Sequence, residues 1–225
     1  QAMTADIAHE LRTPLTVQRA HLEAIQDGIY PTSPESLQPV LEQNLLLTRL
    51  VEDLRTLALA DAGQLDLQLT PTDLPALVAR ITERFQPQAA ARQISLLSDL
   101  PETCPELLLD PMRLEQVLGN LLSNALRHTP PGGEIRIQAT CRQGQVVISV
   151  HDSGPGIPPE GLPHVFERFY RLDKARQRSE GGTGLGLAIA RHLTEAMSGS
   201  ISAQNHPQGG ALFTLTFPIP AGSPR

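Results

Sequence analysis

The sequence has few aromatic residues, two cysteines and no long apolar run. Aromatic residues make up 3% of its 225 residues and tryptophan is absent, so the core must be built from aliphatic side chains. Cys104 and Cys141 lie far apart and outside any CxxC or Cys/His cluster, so neither a disulfide framework nor a zinc site is indicated. We interpret them as two reduced core thiols. No apolar run reaches the ~18 residues that span a bilayer, and the N-terminus lacks a signal-peptide pattern, so these residues are expected to be soluble.

The sequence also lacks clustered basic residues. It has 18 Lys and Arg against 24 Asp and Glu, a formal net charge of -6. Nucleic-acid binders need grouped Lys and Arg that displace counterions from phosphates, so no nucleic-acid partner is expected. An apolar fraction of 40% and a charged fraction of 19% are typical of an ordinary soluble protein, and the length allows two modules that each bury a core.

Two amphipathic helices are predicted in the first module. Apolar positions recur on one side of residues 1–27 and again of residues 35–60. Turn-forming residues separate the two helices, and Ser33 or Ser36 is expected to cap the second. A pair of helices cannot bury two such stripes by itself. We therefore predict an antiparallel hairpin that pairs with a second copy into a four-helix bundle, which makes the protein a homodimer.

A second domain is expected to start after residues 61–63. Leucines alternate with polar residues at 65–69, which predicts a half-buried strand. Further strands are predicted at 94–97, 107–109, 134–141 and 145–151, helices from 74, at 111–128 and at 184–197, and a hairpin across 200–217. The predicted fold class is α+β: a two-helix hairpin over residues 1–62, then over residues 68–220 an α/β sandwich with a mixed sheet and helices on one face.

A His-Glu pair lies one turn before a proline in the first predicted helix, at His9, Glu10 and Pro14. A neutral imidazole is a good nucleophile near pH 7, and Glu10 can orient the ring and accept its proton. Thr13 lies about one turn onward on the same side. The residues alone leave two interpretations open, a nucleophilic histidine or an ordinary solvated helix face.

The helix predicted at 111–128 carries a polar row at every fourth residue, including Asn120 and Asn124. Asparagine is unfavourable inside a helix, but two amide oxygens one turn apart suit a hard cation such as Mg²⁺, which bridges nucleotide phosphates. Arg127 and His128 are then candidates for direct phosphate contacts. A solvent-facing polar stripe is the alternative.

Two glycine-containing segments complete the candidate nucleotide site. Asp152 ends a buried strand and precedes Gly154, Gly156 and Ile157, so its carboxylate can accept a hydrogen bond from the exocyclic amine of adenine while the glycines let the backbone pass close to the ring. The same letters also make an ordinary turn. A second loop opens a helix, whose free amides and dipole favour phosphates. Its candidate contacts are Thr183, Gly184, Leu185, Gly186 and Leu187. The loop lacks the features of a P-loop or a dinucleotide fingerprint, so another nucleotide fold is required.

Residues 153–183 form an irregular stretch longer than structural loops usually are, which predicts a mobile functional lid. Arg168 or Arg171 is placed to meet the γ-phosphate as a charge-assisted donor. Phe166 and Phe169 either close over the ligand or simply pin the lid to the domain.

In order and spacing these segments resemble the H, N, G1, F and G2 boxes of two-component sensor histidine kinases, over essentially the whole chain. The resemblance implies a dimerisation and histidine phosphotransfer domain, then an ATP-binding domain of the kind shared with gyrase and MutL. It implies that His9 is the phosphoacceptor, that Glu10 assists as base, and that Thr13 positions water for dephosphorylating the partner. It further implies that Asn124, with Asn120 nearby, binds magnesium, that Asp152 contacts adenine, and that Gly182, Gly184 and Gly186 lie beside the phosphates.

The resemblance also implies partners and a location. The phosphoryl group of ATP would pass from His9 to an aspartate of a response-regulator receiver domain. The chain would be the cytoplasmic portion of an inner-membrane sensor protein, with membrane attachment only through an upstream segment. Two positions depart from the family pattern. His128 stands where many relatives have Tyr, and Ala211 follows Gly210 where related ATPases often have Thr, at a cost of roughly 0.5 to 1.5 kcal/mol in ligand binding.

Two rival functions are compatible with the sequence. One is a phosphatase of the partner for which ATP is a conformational ligand, and Thr13→Ala separates it from the kinase if partner dephosphorylation is lost while autophosphorylation survives. The other is a nucleotide-binding switch without transfer activity, in which His9 is merely a surface residue. The intact set of motifs argues against this second rival.

Overall fold

A computed structural model describes residues 2–101, 104–142, 144–171 and 183–219. The described chain forms two compact units, one with residues 2–59 and Thr183, the other with residues 60–171 and 184–219. The later part of the predicted lid, residues 172–182, includes Gly182 and lies outside the described residues.

The first unit consists of two long helices, α1 (Ala2–Gln26) and most of α2 (Pro34–Asp61). Ser33 caps α2, because its Oγ accepts the backbone N–H of Ser36 at 3.3 Å and its carbonyl accepts that of Leu37 at 3.2 Å. The ring of Tyr30 packs on His21, with 5.4 Å between centroids, and the turn between the helices thus folds back onto α1. Large apolar side chains stay exposed on both helices within this single chain, among them Leu15, Leu22, Leu41, Leu45 and Val51.

The second unit contains a five-stranded mixed sheet of order β2-β4-β5-β7-β6. Only β2 and β4 are parallel, and the other neighbours are antiparallel. The strands and helices of this unit are β1 (Thr70–Thr72), α3 (Leu74–Ala91), β2 (Ser95–Asp99), β3 (Leu107–Leu109), α4 (Pro111–His128), β4 (Glu134–Arg142), β5 (Gln145–Asp152), α5 (Gly186–Ala196), β6 (Ser200–Asn205) and β7 (Ala211–Pro218). The predicted α+β class with a mixed sheet is confirmed.

The core of the second unit follows from alternation along its central strands. Every second residue of β5, from Val146 to Asp152, is buried, and so is every second residue of β7. Such a pattern places one face of the sheet against a hydrophobic layer. The amphipathic helices supply that layer, since α4 buries seven residues and α5 five: Leu114, Val117, Leu118, Leu121, Leu122, Ala125 and Leu126, and Ala188, Ile189, Ala190, Leu193 and Thr194.

The prediction of a strand at residues 65–69 was wrong. This segment joins no sheet, and the short strand β1 follows it, paired antiparallel with β3. A side chain rather than a strand partner holds the segment, because the N–H of Gln68 donates to Asp110 Oδ2 at 3.0 Å. The other oxygen of Asp110 caps α4 through the N–H groups of Met112 and Arg113. The alternating leucines therefore indicate partial burial of this segment, and they do not indicate pairing with another strand.

Candidate functional site

His9 lies on the exposed surface of α1, in the first unit. Glu10 beside it is half-buried and has an interaction partner. The hydroxyl of Thr13 donates to the backbone carbonyl of His9 at 3.3 Å, so the predicted phosphoacceptor and the predicted water-positioning residue are neighbours one turn apart. Helix α1 continues through Pro14, which is buried. An exposed imidazole with this neighbourhood is accessible to a phosphoryl donor.

Asp152 ends β5 and is 2% exposed. Its Oδ1 accepts the N–H of Gly154 at 2.9 Å and that of Ala211 at 3.3 Å. Its Oδ2 makes no hydrogen bond to any residue that the structure describes, and no buried side-chain oxygen or nitrogen of the described residues lacks a partner. Oδ2 is therefore not fully buried, and a ligand amine can donate to it.

Gly154 and Gly210 are glycines because neighbouring atoms occupy the space of a side chain. A Cβ on Gly154 would lie 2.6 Å from the carbonyl oxygen of His128, and one on Gly210 would lie 1.6 Å from that of Asp152. Gly210 also has a φ of 82°, which favours glycine. The loop before β7 thus passes directly over Asp152. The sequence prediction noted Gly210 only as a departure from the family, and did not find this role.

Asn205, the last residue of β6, fixes the loop that contains Gly156 and Ile157. Its Oδ1 accepts the N–H of Ile157 and its Nδ2 donates to the carbonyl of Ile157, each at 2.7 Å. A Cβ on Gly156 would lie 2.8 Å from the same Oδ1. The amide therefore binds the predicted adenine-side loop as a neighbouring strand would. Sequence reasoning missed Asn205, because Asn before His206-Pro207 is indistinguishable from a turn signal.

Helix α4 connects the two glycine-containing segments. The Nδ2 of Asn120 donates to the carbonyl of Gly186, the first residue of α5, at 2.9 Å, whereas the C-terminal end of α4 lies beside Gly154 through His128. The Oδ1 of Asn120 and the half-buried amide of Asn124 form no hydrogen bond with residues in the described part of the chain. Both amide oxygens are thus available as ligands for a hard cation. Arg127 and His128 each have an interaction partner already.

The phosphate-side loop leads into the start of α5. Leu185 is fully buried, whereas Thr183, Gly186 and Leu187 are half-buried. Gly184 has a φ of 70°, and a Cβ there would lie 2.9 Å from the Cα of Phe169, whose N–H donates to the carbonyl of Gly184 at 3.0 Å. The first amides of α5 have no partner within the helix, which makes this end attractive to an anion.

Two predicted lid residues have definite partners. Phe166 packs edge-on against Phe213 of β7, with 6.3 Å between centroids, which supports the pinning role for this ring. The guanidinium of Arg168 forms a two-pronged ion pair with Asp61, and it lies 3.1 Å from the Nε2 of His192. The hydrogen bond to Arg168 holds the pKa of Asp61 below its usual value. A contact of Arg168 with the γ-phosphate stays a prediction.

No group of three or more His, Cys, Asp or Glu side chains that could hold a metal occurs among the described residues. A magnesium ion bound mainly by phosphates needs only one or two protein oxygens, and the predicted ligands Asn124 and Asn120 would supply these. The part of the chain described by the structure contains no helix long and apolar enough to cross a membrane.

Two protein families match successive parts of the chain. The family of Histidine kinase-, DNA gyrase B-, and HSP90-like ATPases matches residues 109–221, just over half of the chain. The second unit is therefore an ATPase domain of this kind. The His Kinase A (phospho-acceptor) domain matches residues 1–63, directly before it. With both domains in this order, the chain belongs to the histidine kinase family, as its motifs predicted.

Individual relatives agree with the family. The signal transduction histidine-protein kinase BaeS of Escherichia coli is 42% identical over 215 residues, which cover 96% of this chain and 46% of BaeS. The structure of the histidine kinase AdeS of Acinetobacter baumannii superposes with a TM-score of 0.81 at 31% identity, covering 94% of this chain and 98% of that one. ShkA in complex with AMPPNP has a TM-score of 0.74 at 28% identity, covering 99% of this chain and 47% of ShkA. The chain thus spans less than half the length of BaeS and of ShkA.

Proposed function

We propose that this chain is the catalytic core of a sensor histidine kinase that binds Mg-ATP in its second unit and phosphorylates His9. The phosphoryl group then passes to an aspartate of a response-regulator receiver domain. The observation that carries the proposal is Asp152: a buried carboxylate whose Oδ1 is fixed by two backbone amides while Oδ2 stays available. This arrangement suits the exocyclic amine of adenine, and it lies in the unit that matches an ATPase family.

The neighbouring residues fit the rest of the nucleotide. The first amides of α5 are suited to phosphate oxygens, and Asn120 ties this helix start to α4. Asn124 and Asn120 would hold the magnesium ion, which, when bound, neutralises charge on the phosphates. Arg127, His128 and the loop residues Thr183 to Leu187 complete the proposed binding surface. The AMPPNP bound in ShkA supports the choice of an adenine nucleotide.

In the proposed reaction a ring nitrogen of His9 attacks the γ-phosphorus in line as the bond to the departing ADP oxygen breaks. The exposed imidazole can approach the donor, and Glu10, the next residue, would orient the ring and accept its proton. His9 belongs to the first unit, and the proposed nucleotide contacts Asp152, Asn120 and Asn124 belong to the second. Transfer therefore requires the two units to meet, which makes the step dependent on domain motion.

The proposed assembly is a homodimer. Leu41, Leu45 and Val51 are 54% to 59% exposed on α2 in the single chain, and a second copy would cover such a stripe in a four-helix bundle. We further infer that the chain is the cytoplasmic portion of an inner-membrane sensor. The greater length of BaeS, of which this chain spans 46%, supports this inference.

Autophosphorylation at His9 is tested by incubating the chain with radiolabelled ATP and magnesium. We expect the chain to acquire labelled phosphate that is acid-labile and base-stable. The His9→Gln variant should acquire none. His21→Gln is the matched control, since it removes the other histidine of α1 and should leave labelling intact. Labelling that persists in His9→Gln would remove His9 from the proposed role.

We also infer that Thr13 serves in dephosphorylating the response regulator, because its hydroxyl is held one turn from His9. Thr13→Ala is expected to slow dephosphorylation of a phosphorylated receiver domain about tenfold or more and to leave labelling of His9 unchanged. Thr16→Ala is the control, since Thr16 makes the same kind of bond to the carbonyl of Arg12 at 2.9 Å. Equal rates in the two variants would contradict the assignment.

A further inference from the structure

The two cysteines of the chain, 37 positions apart, meet in the second unit. The thiol of Cys141 contacts that of Cys104 at 3.7 Å between sulfur atoms. Cys141 follows Ile135, Ile137 and Ala139 on the buried face of β4 and lies near the end of that strand. Cys104 precedes β3. Both thiols are free and half-buried rather than in the core, so the separation in sequence concealed a contact in space.

This contact has the features of a disulfide precursor. The sulfur atoms are in van der Waals contact, and a disulfide requires them about 2 Å apart, a change within the reach of side-chain rotation. Both side chains are partly exposed, so a small reagent can reach them. The sequence has only two cysteines among 225 residues, hence neither thiol can form an intramolecular disulfide with any other partner.

We propose that Cys104 and Cys141 are a modification site, a dithiol that forms an intramolecular disulfide by exchange with a small-molecule disulfide such as oxidised glutathione. One cysteine thiolate attacks glutathione disulfide and expels one glutathione thiolate. The second cysteine, having lost its proton, attacks the protein sulfur of this mixed disulfide and expels the other. Two protein thiols are oxidised, one glutathione disulfide is reduced, and two glutathione thiols are released.

The surroundings set the order of attack. Burial raises the pKa of Cys104 to about 11, and the hydrogen bond and charge of Cys141, with the charge of Asp73, act in the same direction. Cys104 therefore remains a thiol at neutral pH, and we assign the first attack to Cys141. The charge of Cys141 disappears when it enters the mixed disulfide. That loss makes deprotonation of Cys104 easier for the second step.

The disulfide would enclose β3, α4 and most of β4 in one covalent loop. Such a loop restricts the unfolded chain and stabilises the folded unit. The nucleotide site is distant, because Asp152 pairs with Ile135, six positions before Cys141 on β4, about 20 Å along the strand. The disulfide is therefore expected to raise stability without changing nucleotide affinity.

The test uses the whole chain, reduced or equilibrated with oxidised glutathione. Remaining thiols are alkylated in denaturant and counted by intact-mass spectrometry. Both thiols should disappear together, with the loss of two hydrogens, and the unfolding temperature of the second unit should rise by roughly 5–10 °C. ADP affinity should stay the same. Cys104→Ser and Cys141→Ser should each show no rise.

Three results would overturn the proposal. One is a chain that keeps both thiols or carries two bound glutathiones. Another is a disulfide between two chains, seen as a cross-linked dimer on a non-reducing gel. The third is an intramolecular disulfide that leaves the unfolding temperature unchanged or alters ADP affinity more than tenfold. Because reduced and oxidised protein share one sequence, misfolding of a serine variant cannot produce any of these results.

Discussion

At the scale of single residues, Asp152 links the fold to the proposed ligand. One of its oxygens accepts two backbone amides, from Gly154 and Ala211, and this fixes the loops on both sides of the carboxylate. The other oxygen is left for a donor from the ligand. Structural and binding roles are thus divided between two atoms of one side chain, which allows them to be separated by substitution.

Asp152→Asn performs that separation. The amide oxygen can still accept from the two backbone N–H groups, whereas an NH₂ group replaces the oxygen that would meet the adenine amine. We expect ADP affinity to fall roughly 10- to 100-fold, the value of a hydrogen bond to a charged group, with little change in unfolding temperature. Isothermal titration calorimetry measures the ADP affinity of the variant and of the unaltered chain.

Asp99→Asn, at an exposed position where the carboxylate accepts from Gln138, is the control and should bind ADP like the unaltered chain. If Asp152→Asn retains full ADP affinity while its fold is intact, the adenine contact is excluded.

The sequence identified residues of this site unevenly. Asp152, Asn120 and Gly154 belong to recognisable motifs, and in the structure Asp152 bonds to Gly154 while Asn120 bonds to the start of α5. Asn205 and Gly210 do not, although Asn205 bonds twice to Ile157 and Gly210 lies against the carbonyl of Asp152. Their roles depend on contacts between segments about 50 residues apart in sequence, and no local pattern encodes such contacts.

At the scale of elements, periodicity predicted the helices well. Helices α1, α2, α4 and α5 each have apolar residues at helical spacing, and their predicted bounds agree with the structure within about two residues. Short strands were harder to predict from the sequence. The alternation at residues 65–69 has the right period but no partner strand, because Asp110 takes the N–H of Gln68. Pairing is a property of two segments, so one segment cannot reveal it.

Helix α4 shows why the site motifs occur in their order. Its N-terminal end is capped by Asp110, its middle binds α5 through Asn120, and its last residue, His128, lies beside Gly154. One rigid element thus sets the spacing between the proposed phosphate and adenine ends of the nucleotide. The stacked polar residues of α4 suit this proposed function, whereas helix propensity disfavours asparagine inside a helix.

Across the two units, two carboxylates make stability depend on pH in opposite directions. Burial raises the pKa of Asp53, in the first unit, from 3.8 to about 6, with partial relief from Arg49. Arg168 lowers the pKa of Asp61, in the second. A raised carboxyl pKa favours the protonated folded state, so the contribution of Asp53 is complete below pH 3.8 and is lost as pH rises through about 6. Asp61 contributes above its ordinary pKa and loses that contribution in acid.

Asp53→Asn is therefore expected to stabilise the first unit at neutral pH and to have little effect near pH 4. Asp61→Asn should do the reverse in the second unit, lowering its stability at neutral pH and converging with the unaltered chain in acid. Thermal unfolding followed by circular dichroism from about pH 4 to about pH 7 compares the two. A lower unfolding temperature for Asp53→Asn at neutral pH would show that the Asp53 carboxylate is favourably paired.

The exposed leucines of α1 and α2 give the two halves of the chain different responses to dilution. The ATPase unit buries its own apolar side chains, so its folding is a property of one molecule. In the proposed homodimer a second molecule covers Leu41, Leu45 and Val51, so the free energy of the helical unit would include the logarithm of protein concentration. At low copy number the helical unit would unfold while the ATPase unit stays folded, and expression level itself would then set how much of the enzyme exists in working form.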